Sequence, residues 1–325
     1  MNPAASREKT IGLIAGVSAY LIWGFVAAYF RMLTDRGVAP LPLLAHRVIW
    51  STLFCVFLLI VTQQLRGAWG VVRDHKRVLA LMASSIMIAI NWLAFIYSVE
   101  IHQLQQSALG YFMNPLVSVL LAMIFLGERL RRWQWVSLAL AAIGVAIIMW
   151  GRGQVPWIGF IVAITFGFYG LLRKQIAVRP VIGLTIETAL LLPLAAAYLI
   201  LVPPDLSRPD WSLGTYGLLS LAGVVTAIPL LLFATAAGRL QLSTLGFLQY
   251  LAPTCQFLLA TLYYGEAVAM IDLIGFTGIW AALIVYSIDA ARRRPVASAI
   301  VIAELPVPDP LPTPPAPTKI RPPGL

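Results

Sequence analysis

Long apolar runs, interrupted at short intervals by clusters of charged, Pro and Gly residues, fill the first 290 positions of the chain. Crossing a bilayer takes roughly 20 apolar residues per helix, and ten of the runs meet that length. The pattern predicts helices over 11–31, 41–63, 77–98, 104–126, 133–150, 156–173, 181–201, 213–236, 242–264 and 270–289. Strands of a membrane barrel would instead alternate over about ten residues. The fold class that follows is an all-α polytopic membrane protein with ten transmembrane helices, because backbone groups cannot stay unpaired in lipid.

Composition agrees and narrows the choice. Of 325 residues, 60% are hydrophobic and 11% charged, against about 25% charged in a soluble domain. Short connections leave no room for a separate water-soluble catalytic domain. The net charge of +10 does not indicate nucleic acid, because the basic residues sit between spans, where they set orientation. With the N-terminus inside, 18 Lys and Arg fall on the cytoplasmic side, Arg173, Lys174 and Arg179 among them. Only Arg31, Arg36, Arg152 and Arg208 fall outside, and Arg47 lies within the second span. Both termini are therefore expected in the cytoplasm, with 1–10 a short cytoplasmic N-terminus. Residues 295–325 carry ten prolines and no aromatic residue, the composition of a disordered tail. Cys55 and Cys255 both fall in apolar runs, so neither a disulfide framework, a metal site nor a cofactor is expected.

The chain also repeats itself. At an offset of 138, residues 89–128 and 227–266 share twelve identities in forty positions, including Gln103/Gln241, Pro115/Pro253, Gly127/Gly265 and Glu128/Glu266. Pro40 precedes Arg47 by seven residues, as Pro180 precedes Glu187. The units are 11–150 and 156–289. Five helices is an odd number, so the second unit enters the membrane from the opposite side. Two inverted five-helix repeats are the architecture of secondary transporters, with a site near the midplane between the halves.

Candidate chemistry lies inside the spans. Glu187 is expected roughly 10 Å into helix seven, and its repeat partner Arg47 at similar depth from the other face. Intramembrane charges tend to line cavities, so the two read as charges at either end of one polar cavity. The alternatives are a Glu187 pair with Lys174 or a helix cap, and a snorkelling Arg47. His46 could titrate near neutral pH, but adjacent helical positions point about 100° apart, which favours a structural role. Pro115 and Pro253 mark paired helix breaks. Around them gather Asn91, Tyr111, Asn114, Gln249, Tyr250 and Gln256, with Trp23 and Tyr169 at corresponding points of helices one and six. These residues either bind a small organic molecule or join helices as polar glue. Gly127-Glu128 and Gly265-Glu266 fall at helix ends, where capping is the expected role.

The segments Ala45-His46-Arg47-Val48-Ile49-Trp50-Ser51, Leu109 to Val117, Phe125-Leu126-Gly127-Glu128-Arg129 and Leu242 to Tyr250 resemble the EamA domains of the drug/metabolite transporter superfamily. Over about 10–290 the chain resembles the RarD subgroup most closely. That resemblance implies a bacterial inner-membrane permease, an exporter by family habit, for a small metabolite or drug, with an association with chloramphenicol. Protons are the candidate coupling partner, with Glu187 as their site. Ala27, Gln106 and Glu100 stand where Pro, Glu and Asn are usual in the subgroup. A receptor or scaffold, and less so an intramembrane enzyme, are the competing function classes.

Overall fold

The computed structural model describes residues 3–101, 104–151, 153, 156–176, 178–203, 210–263 and 269–291. Ten of the helices there are long and apolar enough to cross a membrane, as the sequence pattern requires. The spans are α1 (Pro3–Thr34), α2 (Pro40–Val61), α4 (His75–Glu100), α5 (Leu104–Leu126), α6 (Arg132–Gly151), α7 (Trp157–Gln175), α8 (Pro180–Leu201), α9 (Leu213–Ala237), the pair α10 (Leu242–Leu248) and α11 (Leu251–Leu258), and α12 (Met270–Ala291). Pro40 and Pro180 each occupy the first turn of their helix, where the missing N–H is not needed. A short helix absent from the sequence expectations, α3 (Leu65–Val72), lies between the second and third spans.

The spans pack in a reciprocal pattern. The first lies on the eighth and the third on the sixth, while the second meets the seventh, the fourth meets the ninth and the fifth meets the tenth. Glycines permit the closest approaches. A Cβ on Gly110 of α5 would come within 2.6 Å of the Gly159 carbonyl of α7, and one on Gly144 of α6 within 2.6 Å of the Gly275 carbonyl of α12. Small residues at such crossings let backbones touch, the usual driving force for helix association in lipid.

The expected pair of proline breaks is not symmetric. Pro115 sits inside α5, which runs unbroken from Leu104 to Leu126. The ninth span breaks at Gln249 and Tyr250, just before Pro253, and ends in a π-helical turn, Leu259–Tyr263. There the Ala252 N–H bonds the Gln249 carbonyl at 3.2 Å, a tighter i→i+3 link in place of the i→i+4 bond that Pro253 cannot donate. A single lost bond in the middle of the long α5 is carried by its neighbours. The Pro-rich tail, Gly265, Glu266, Gln103, Arg152 and Arg208 lie outside the described residues, as do the side chains of Ala27, Glu100 and Gln106.

Candidate functional site

One cavity of about 290 Å³ opens at the centre of the bundle, walled by α1, α2, α4, α5, α7, α9 and the broken ninth span. Aromatic side chains dominate its wall: Trp23 and Phe30 from α1, Trp92 and Phe95 from α4, Tyr111 from α5 and Phe166 from α7. Trp23 packs edge-on to Phe166 with centroids 5.8 Å apart, and Phe95 leans on Tyr111 at 6.3 Å. The polar lining is sparse, comprising Asn91, Asn114, Thr226, Gln249 and Gln256 with the Arg47 guanidinium. Apolar walls with a few convergent polar groups are the usual make-up of a small-molecule pocket.

Arg47 reaches the cavity from α2. Its Nε donates to Thr226 Oγ1 at 3.0 Å, and its Cζ lies 4.6 Å from the centre of the Phe30 ring and 5.1 Å from Trp92. The other polar residues divide by what they already bond. Asn91 Nδ2 donates to the Val162 carbonyl at 2.8 Å and to Thr165 Oγ1 at 3.2 Å, tying α4 to α7. Gln249 Nε2 donates to Ser118 Oγ at 2.9 Å, and Gln256 Nε2 to the Trp23 carbonyl at 3.3 Å. Asn114 Oδ1 is buried and accepts nothing among the described residues.

Glu187 departs from its expected place. It is absent from the cavity wall and buried at the α4, α7 and α8 contact, with side chains of both Glu187 and Arg173 2% exposed. Its Oε1 accepts from Arg173 Nη1 at 3.3 Å and from Ser84 Oγ at 2.6 Å, and Tyr169 lies alongside. Glu187 and Arg47 therefore do not stand at two ends of one cavity. Arg173, assigned by sequence to a cytoplasmic loop, is part of the core, and Lys174 turns away to the Ala237 and Leu240 carbonyls. The reason is local. A Cβ on Gly183 would fall 2.1 Å from Arg173 Nη1, so the glycine in the first turn of α8 lets the guanidinium lie where it does beside Glu187.

Other candidates also lie off the cavity. Tyr169 stacks on Phe233 at 5.7 Å and 17°, and Tyr250 is fully buried in a cluster with Leu109, Met113 and Ile279. Pro115 lies against Gly246 rather than the wall: a Cβ there would come within 3.1 Å of the Pro115 carbonyl. His46 sits between Trp211 and Tyr216, with centroids 6.2 and 6.4 Å away. Sequence reasoning missed Ser84, Arg173 and Thr226. The repeat offset held a usable signal for the cavity: Ile88 and Thr226, Trp92 and Leu230, and Tyr111 and Gln249 are 138 apart, and all six line it.

Ten apolar helices around one internal aromatic and polar cavity define a multi-pass helical membrane protein of the transporter type. The EamA-like transporter family matches residues 10–150. An uncharacterized transporter of Vibrio cholerae is 45% identical over 302 residues, covering 90% of this chain and 99% of its own. Protein RarD of Salmonella typhimurium is 45% identical over 287 residues, 88% of this chain and 97% of its own. A protein of known crystal structure aligns over 86% of this chain and 99% of its own with a TM-score of 0.67 at 20% identity, a likeness of fold alone. The chain belongs to the EamA-like transporter family, in its RarD subgroup, and is a multi-pass membrane transporter.

Proposed function

We propose that the chain is a secondary carrier that moves a small organic metabolite or drug across the bacterial inner membrane by alternating access, in the export direction. The observation that carries this reading is the cavity of about 290 Å³ shared by helices of both halves. Paired positions at the constant offset of 138, such as Tyr111 and Gln249, supply the same wall. Two inverted five-helix units rocking about such a site give access to each side in turn. Arg47, Asn114, Gln249, Gln256 and Trp23 are the proposed substrate contacts. Asn91 contributes mainly by fixing α4 to α7. Both termini are placed in the cytoplasm, because the Lys and Arg bias survives the removal of Arg173 to the core.

Proton coupling is assigned to the Glu187 cluster, a buried carboxylate at a junction of three helices that move against one another in this mechanism. Covalent catalysis has no support here: Glu187 and His46 belong to separate clusters. The test is flux into proteoliposomes of the full chain across a panel of metabolites and drugs that includes chloramphenicol, with and without a pH gradient. Substrate-specific flux abolished by Asn114→Trp, which fills the cavity, supports carriage. Flux whose pH dependence is unchanged in Glu187→Gln overturns the coupling assignment, and binding of panel compounds without flux overturns carriage in favour of a receptor.

A further inference from the structure

Arg47 brings a full positive charge to a cavity whose lining, among the described residues, holds no carboxylate. Its partners there are neutral: the Thr226 hydroxyl and the Phe30 and Trp92 rings. Thr226 occupies only Nε, and Nη1 and Nη2 have no protein acceptor among the described residues. A cation held in a low-dielectric site without a counter-ion is costly. Proteins elsewhere meet that cost with a paired acid, as this chain does where Arg173 meets Glu187.

From this contrast we infer that the cavity selects small organic anions, with Arg47 as the headgroup anchor. This rests on the cavity being the substrate site. The two free guanidinium nitrogens match a planar carboxylate in bidentate fashion. The aromatic wall of Trp23, Trp92, Phe95 and Phe166 suits an aromatic or branched apolar body behind it. A cationic amine of the same shape would meet like charge, with no acid among the described lining residues. The substrate class is therefore a monocarboxylate with an apolar body, small enough for about 290 Å³.

The experiment is equilibrium binding to the full chain in phosphatidylcholine nanodiscs, using 3-phenylpropionate, its neutral amide 3-phenylpropionamide and the cationic 3-phenylpropylamine. The carboxylate should bind the native chain about tenfold or more tighter than the amide, as a charged hydrogen-bond pair allows, and the amine should bind least. Arg47→Gln should bring carboxylate and amide to equal affinity, while Arg47→Lys keeps part of the preference. The native rank order stands as the test even where a variant fails to fold. Amide or amine binding as tightly as the carboxylate, a carboxylate preference that survives Arg47→Gln, or no binding by any of the three overturns the anion assignment. Binding of the carboxylate that is untouched by Asn114→Trp places the site elsewhere and overturns the cavity reading itself, a separate failure.

Discussion

Glu128 and Ser243, 115 positions apart, are joined by two hydrogen bonds: Glu128 Oε2 accepts from the Ser243 N–H at 3.0 Å and from Ser243 Oγ at 2.6 Å. Oε1 of the same carboxylate accepts from the Leu242 N–H at 2.8 Å. The C-terminal end of α5 thus caps the start of α10, satisfying backbone donors that a helix leaves orphaned. Gly127 makes this possible. Its φ of +64 ends α5 in a left-handed turn, with the Glu128 N–H bonding back to the Ala122 carbonyl at 3.1 Å, one residue beyond the link of a Schellman cap but satisfying the same kind of orphan C-terminal carbonyl.

Glu128→Ala is accordingly expected to cost about 1.5–3 kcal/mol, the range for hydrogen bonds to a charged group. Glu128→Gln should cost less, since one acceptor oxygen remains. Denaturant or thermal unfolding of the detergent-solubilised chain measures both. An alanine variant as stable as the native chain would show that water or a neighbour replaces the carboxylate without loss.

The Glu187–Arg173 pair makes a different kind of expectation. Removing one partner strands the other charge in the core, which costs about 3–5 kcal/mol in buried pairs, whereas replacing both by apolar residues can be neutral. Glu187→Ala and Arg173→Met should each lower the unfolding midpoint, and Arg173→Met with Glu187→Leu should recover most of the loss. Additive losses in the double variant would mean that the charges do not act as a pair. Gly183→Ala would place a methyl 2.1 Å from Arg173 Nη1, which the guanidinium can relieve by shifting, so it should lower the midpoint by less than either single variant.

This pair marks the limit of what the sequence revealed. The number and class of the helices were legible because bilayer thickness fixes the length of every apolar run. Arg47 was legible as a charge inside a span. Arg173 was not: it closes an apolar run next to Lys174, the usual place for a loop cation, and only the α8 turn folding back brings Glu187 to it. The cavity wall was half legible, as its polar members stand out in an apolar chain. Phe30, Trp92 and Phe166 read like any other apolar span residue, and the face each presents is set by packing. The α3 helix escaped because eight residues fall below any spanning length.

Helix crossings give a graded series. Gly144→Ala places a methyl 2.6 Å from the Gly275 carbonyl of α12, and backbone cannot step aside as a side chain can. Overpacking of this kind costs typically about 1–3 kcal/mol. Gly217→Ala in α9 meets nothing within 4 Å and should be neutral or stabilising by about 0.5–1 kcal/mol from helix propensity. Equal unfolding midpoints for the two variants would show that the α6 and α12 contact is looser than its geometry.

Asn91 and Asn114 separate polar glue from polar recognition. Both line the cavity, and the sequence alone offers no way to tell their roles apart. The Asn91 amide already donates twice to α7, whereas Asn114 Oδ1 is buried with nothing to accept among the described residues. Asn91→Leu gives up interhelical bonds worth about 0.6 kcal/mol on average in membrane proteins and strands their acceptors, so stability should fall. Asn114→Leu removes an unsatisfied acceptor, a change that is near neutral or stabilising, while a substrate donor aimed at that oxygen loses its partner. The expected result is a crossed pattern: Asn91→Leu lowers the unfolding midpoint more than it weakens ligand affinity, and Asn114→Leu weakens affinity at an unchanged midpoint. Parallel behaviour of the two variants would mean that Asn114 serves the fold as Asn91 does, and that recognition in this cavity rests on Arg47 and the aromatic wall without it.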